Sequence, residues 1–248
     1  MIEANFLTES MGNSSYAVER SLKKLVEDIE RDKDVELVGK DVGEVKKEEG
    51  SYTGIVELEL QFSDMKSFIR GVIKYPPSAI LLNSPAEITM SREEFQQLLA
   101  FTGSVIRDLY SHYHAGFVFE DIEEEFTPVD EEEIDSILDH GAVRVGVLIE
   151  NEDEDFNTII SRVIESISGD VEYIKAEEMK LEAGRVVALD LLIEPPSSVF
   201  DLVLKYVPMV IKVVEPEEIT LSMLDIQDIS TSIAEVINDV MIQNAVFK

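Results

Sequence analysis

The sequence repeats itself. When residues 72–108 are laid on residues 203–239, an offset of 131, 14 of the 37 positions are identical without a gap; chance would give about two or three. Val72, Lys74, Tyr75, Pro77, Ile80 and Pro85 fall on Val203, Lys205, Tyr206, Pro208, Ile211 and Pro216. Glu87, Ile88, Thr89, Ser91, Gln96, Val105, Ile106 and Asp108 fall on Glu218, Ile219, Thr220, Ser222, Gln227, Val236, Ile237 and Asp239. Upstream, Val56, Leu58 and Leu60 match Val187, Leu189 and Leu191. Asp34-Val35-Glu36 matches Asp170-Val171-Glu172 once the Lys46–Ser51 loop absorbs five extra residues.

Each half reads the same way. In the second, Val143, Val145, Val147 and Ile149 alternate with other residues, the period of a strand. Residues 156–167 follow at helical spacing and Gly169 closes them. Strands near 171–179 and 185–193, a helix over 197–206, a strand over 209–214 and a long final helix complete the half. The first half predicts strands at 2–7, 35–45, 53–62 and 79–82 and helices at 16–31, 63–74 and 92–113. The order β-α-β-β-α-β is the ferredoxin-like arrangement. The fold expected is therefore α+β: a tandem duplication of a ferredoxin-like βαββαβ unit, each with an appended C-terminal helix. Residues 1–114 form the first repeat with its helix, 115–141 an acidic connector with a short helix capped by Asp130, and 142–248 the second repeat with its helix.

Along 56–62 the valine, leucines and phenylalanine point one way while Glu57, Glu59 and Gln61 point the other. The matching strand is less polar outside, where Val186, Ala188 and Leu192 accompany Asp190, so that face needs a cover. The appended helices carry matched seams. Phe95, Leu98, Thr102, Val105 and Leu109 step by 3, 4, 3, 4, as do Ile226, Ile229, Ile233, Val236 and Val240. Such seams suit either packing on each other or lying across open sheet faces. Ser91 with Glu94, and Ser222 with Asp225, form capping boxes.

Composition narrows the function. The net charge of −31, from 52 acidic and 21 basic residues, repels phosphate backbones and anionic lipid. Neither nucleic acid nor membrane is expected as a partner. The absence of cysteine removes disulfides, thiolate metal sites and cysteine nucleophiles. The first ten residues lack a basic, apolar leader, and no apolar run reaches the length of a bilayer span. A cytoplasmic protein is expected.

Lys74-Tyr75 and Lys205-Tyr206 recur where a helix gives way to the last strand of each half. A cation and an aromatic at equivalent turns are candidates for ligand or partner binding. The same residues also suit a structural role, the lysine complementing the helix C-terminus and the tyrosine packing under the turn. Asp108, His112 and His114 have a spacing that can share a metal ion, yet histidines near a helix end also answer its dipole. No metal site and no cofactor are expected. Ser14, Ser15, Ser197 and Ser198 sit at helix starts, where capping accounts for them. There is no G-x-S-x-G, phosphate loop or G-x-G-x-x-G, so no catalytic residues are nominated.

Residues 200–220 (FDLVLKYVPMVIKVVEPEEIT) are similar, over about twenty residues, to the helix–strand–Glu-Pro run in the C-terminal extension of WYL-type regulators, which are also ferredoxin-like. Val207 stands where that run often has glycine, and no functional residue carries over. By style the whole chain resembles an uncharacterised archaeal family of two tandem ferredoxin-like repeats. Among ferredoxin-like proteins the resemblance is to the sensing and assembly members. The expectation is a non-enzymatic scaffold or regulatory subunit that works through protein–protein contacts or self-association. The alternative is a small-molecule sensor with its ligand between the repeats.

Overall fold

The computed structural model describes residues 1–48, 50–113, 126–151, 155–181 and 184–246. In chain order the elements are β1 (Ile2–Gly12), α1 (Ser15–Glu30), β2 (Glu36–Val42), β3 (Lys46–Glu48), β4 (Ser51–Phe62), α2 (Met65–Lys74), β5 (Ala79–Ser84), β6 (Glu87–Ser91) and α3 (Arg92–Tyr113). They continue with α4 (Glu131–Asp139), β7 (Val143–Asn151), α5 (Phe156–Ser166), β8 (Asp170–Leu181), β9 (Gly184–Glu194), α6 (Ser198–Tyr206), β10 (Val210–Glu215), β11 (Glu218–Ser222) and α7 (Met223–Val246). This is a mixed α+β protein with antiparallel sheets. Among the described residues, no helix is long and apolar enough to cross a membrane.

Two compact units result, and they do not follow chain order. Unit 1 comprises residues 1–87 and 222–248; unit 2 comprises residues 88–221. The helix α3, appended in sequence to the first half, packs in unit 2 against β10 and α6. The helix α7, appended to the second half, packs in unit 1 against β5 and α2.

In unit 1 the sheet order is β2-β4-β1-β5, with β3 extending the pairing of β4. Ile2, Ala4 and Phe6 of β1 lie opposite Phe62, Leu60 and Leu58 of β4, and all six are buried. This alternation lets one sheet face receive Val18, Leu22, Val26 and Ile29 of α1 and Phe68, Ile69 and Val72 of α2. Phe6, Phe62 and Phe68 form the centre, with ring centroids 5.2 to 6.3 Å apart. Each such buried ring contributes about 1.5–3 kcal/mol of transfer free energy. Gly71 makes room for them: a Cβ there would lie 2.4 Å from Cε1 of Phe62. Among the described residues the opposite face carries no helix of its own segment, and Glu57 and Glu59 stand exposed on it.

In unit 2 the order β10-β7-β9-β8 places first, second, third and fourth strands as in unit 1. The register agrees in detail. A bulge follows Leu37, which faces Leu60, and another follows Tyr173, which faces Leu191. The outer face, read as needing cover, is partly covered by α4, which packs on β9; Leu192 is 1 % exposed. On the same face Arg144 holds Asp190 with two hydrogen bonds of 3.0 and 2.7 Å.

The seams behave as 3.6-residue stripes and not as strict heptads. Phe95, Leu98, Leu99, Thr102 and Ile106 are buried in α3, whereas Val105 and Leu109 are only half-buried. In α7 the matching residues Ile226, Ile229, Ile233 and Ile237 are buried, as is Val240, and Val236 is half-buried. A straight helix drifts about 20° per heptad, which moves the stripe from position 105 to 106 and from 236 to 237. Both capping boxes close reciprocally. Ser91 Oγ accepts from Glu94 N and the Glu94 carboxylate accepts from Ser91 N; Ser222 and Asp225 do the same. Ser14 caps α1 by accepting from Ala17 N. Asp130 and Ser197 occupy N-cap positions without a side-chain cap bond, so the expectation for them does not hold in that detail.

Three strands escaped the sequence reading: β3, in the stretch read as the Lys46–Ser51 loop, and the pair β6 and β11. β6 and β11, five residues each, pair as a separate ribbon directly before the long helices. In it the hydroxyls of Thr89 and Thr220, equivalent residues of the two halves, are 2.9 Å apart. Short runs between a proline and a helix cap carry too few alternations to register as strands.

Candidate functional site

The four residues singled out by the repeat are engaged inside their own units. In unit 1, α2 ends at Lys74, and Lys74 Nζ donates to Asp32 Oδ2 at 2.6 Å, just past the end of α1. Tyr75 OH donates to the same carboxylate at 2.9 Å and lies 3.2 Å from the Asp28 carbonyl. The lysine also sits 5.0 Å from the Tyr75 ring centroid. Burial pushes the Asp32 carboxyl up, but the hydrogen bonds from Lys74, the Asp34 N–H and Tyr75 outweigh it and hold the group below its ordinary value. The same hydrogen bond, donated to Asp32, raises Lys74.

In unit 2 the copy is analogous. Lys205 Nζ donates to the Ser166 carbonyl at the end of α5 and lies 3.9 Å from Asp201, while Tyr206 OH and Ser166 Oγ are 2.8 Å apart. Each lysine–tyrosine pair thus ties the end of one inner helix to the end of the other. A shallow depression of about 530 Å³ lies beside Lys74 and Tyr75, with Lys24 and Arg31 on its walls.

Among the described residues no three histidine, cysteine, aspartate or glutamate side chains are grouped to hold a metal ion. The His112 ring stands edge-on to Tyr113 at 4.8 Å, and His114 lies outside the described residues. The acidic Glu120–Glu125 run lies outside them as well.

Two surfaces of unit 1 are more distinctive, and neither was legible from motifs. The first is the open sheet face. Leu7 is opposite Glu57 and Ala79, Ile55 is opposite Glu9, and Leu81 is opposite Asn5. Ile55, Leu7 and Leu81 therefore form a diagonal across β4, β1 and β5, and they are 42 %, 37 % and 61 % exposed. Diagonal neighbours on a sheet lie about 7–8 Å apart, so the three side chains make one apolar stripe. Around it the polar side chains are tied together: Asn5 donates to Glu57, Gln61 to Glu3 and Asn83 to Asn5.

The second surface is a groove of about 610 Å³ between α1 and the end of β2. Leu22, Val26, Val42 and Val45 line it, with Lys23, Lys40, Glu19 and Glu44 at its rim. Its far wall precedes the Lys46–Ser51 insertion by which the first half differs from the second. That insertion was visible in the sequence; the groove beside it was not, because it is made by residues about twenty positions apart.

A family model, the MJ0538 family, matches residues 3–247, and the chain belongs to that family. No curated protein and no solved structure matches the chain.

Proposed function

We propose that this member of the MJ0538 family works by binding other proteins, as a scaffold or regulatory subunit, and that it is built as a tandem duplication of a ferredoxin-like unit. Support for the duplication comes from the shared strand order, the equivalent bulges and the 131-residue spacing of matched contacts. Support for binding comes from one observation above all, the exposed Ile55–Leu7–Leu81 stripe across three strands of one sheet face. Exposed aliphatic residues aligned across three strands, and ringed by carboxylates, form a patch that a partner can desolvate while charges at the rim select it.

The test is purification of the full chain from its host under gentle conditions, with native mass spectrometry, beside the Leu81→Lys variant. A stoichiometric protein complex, or a self-association, that Leu81→Lys weakens by at least about tenfold supports the reading. A chain that stays monomeric and unaccompanied overturns it.

A further inference from the structure

The two units treat one sheet edge differently. β2 ends the sheet of unit 1 and β8 ends that of unit 2. Pairing and bulge make Leu37 the counterpart of Tyr173. In unit 2 a stretch of the chain itself runs along this edge. The Val129 N–H donates to the Tyr173 carbonyl at 2.9 Å, and Tyr173 OH donates to the Phe126 carbonyl at 3.0 Å. Phe126, Pro128 and Val129 close a small depression there with Ile164 of α5 and Val171. In unit 1 no segment among the described residues plays this part. Glu36, Val38 and residues 40–42 are exposed, and the apolar groove between α1 and β2 opens beside them.

We propose, building on the protein-binding reading above, that the edge of β2 is a docking site for an extended segment of a partner protein, added to the sheet as a further strand. Outward-facing N–H and C=O groups of an edge strand form a row that an added strand can pair with throughout. The copied bulge does not prevent it, since Tyr173 accepts its hydrogen bond beside the same bulge.

The geometry also specifies the side chains. An added strand turns alternate residues to opposite faces. On the helix side they meet Leu22, Val26 and Val42. On the other side they meet Glu36 and Asp41, the latter paired with Glu57. The segment therefore alternates apolar and basic residues, and the net charge of −31 favours its approach.

The probe is a fluorescent, end-blocked seven-residue peptide alternating valine and lysine, titrated into the full chain at roughly 0.15 M salt. Two controls have the same charge: a peptide with the valines and lysines in separate blocks, and the alternating peptide N-methylated at its valines. The alternating peptide is expected to bind at least about tenfold more tightly than either control. Val42→Lys is expected to weaken it at least about fivefold, while Leu224→Lys, an equal change of charge at an exposed position of α7, leaves it unaltered. Hydrogen exchange should slow at residues 36–42.

Equal affinity for all three peptides, or equal loss in both variants, would mean that charge alone attracts the probe, and would overturn strand addition. That result leaves the binding reading intact if the host complex still forms and still depends on Leu81. Loss of the host complex itself removes the broader reading and not merely this site.

Discussion

The side-chain amide of Gln227 holds Leu82 as a neighbouring strand would: Oε1 accepts from the Leu82 N–H at 3.0 Å, and Nε2 donates to the carbonyl of Ile80, two residues earlier, at 2.8 Å. Gln96, its counterpart, accepts from Val213 N at 3.1 Å in unit 2. Asn238 donates to the Pro77 carbonyl as Arg107 donates to that of Pro208. Each long helix thereby seals the exposed edge of a last strand, β5 or β10, that would otherwise offer unpaired backbone to other chains. Replacing Gln227 with leucine keeps the volume and strands two partly buried backbone groups. The expected cost is about 1–3 kcal/mol in denaturant unfolding. The loss should exceed that of an exposed control such as Glu235→Leu.

Gly169 is tightly constrained by its surroundings in unit 2. Its φ of +87° suits glycine, and a Cβ would lie 2.2 Å from the Glu194 carbonyl oxygen. Alanine there combines a left-handed penalty with a clash against backbone, which cannot rotate away. Gly169→Ala should lower stability by more than about 2 kcal/mol, read as a fall in thermal midpoint. Gly146→Ala, where a Cβ meets nothing within 4 Å, should do far less.

Val207 shows the reverse case. It adopts φ 42° and ψ 56°, a left-handed conformation that a β-branched residue rarely takes. Glycine at this position relieves about 1–2 kcal/mol of backbone strain, offset by about 0.5–1 kcal/mol of extra chain entropy in the unfolded state. Val207→Gly should therefore raise stability by up to about 1.5 kcal/mol, measured by chemical unfolding.

The Asp32–Lys74–Tyr75 contact predicts a pH dependence. Asp32 is held below its ordinary value of 3.8, so its stabilisation is present above that pH and disappears as pH falls through the depressed folded value. At neutral pH, Asp32→Asn should cost about 1 kcal/mol, a modest figure because Lys74 is half exposed. The gap between the two proteins should close below about pH 4. A gap that persists in acid would mean that packing, and not charge, accounts for the loss.

Much was legible because the two halves spell the same pattern. The period-two run at 56–62, the helical spacing at 156–167, the full extent of Arg92–Tyr113 and both capping boxes depend on neighbours in sequence, and local chemistry decides them. Gln96 and Gln227 stood out as identities, but nothing nearby explained them, since their partners are more than a hundred residues away. The apolar stripe and the β2 groove were hidden for the same reason. Which residues share a sheet face across strands depends on register, and register is set by the assembled core.

Taken alone, the sequence determined the main helices and strands, the alternating core positions of the central strands and the buried stripe of each long helix, because periodicity specifies which face is apolar. Only the tertiary structure decided what those stripes meet. α3 lies on the sheet and helix of the second half, and α7 on those of the first. An apolar face records that it needs a partner without recording which one. In the assembled units Phe95 meets Phe200 edge-on and Gln227 meets the edge of β5, contacts that no local pattern spells out.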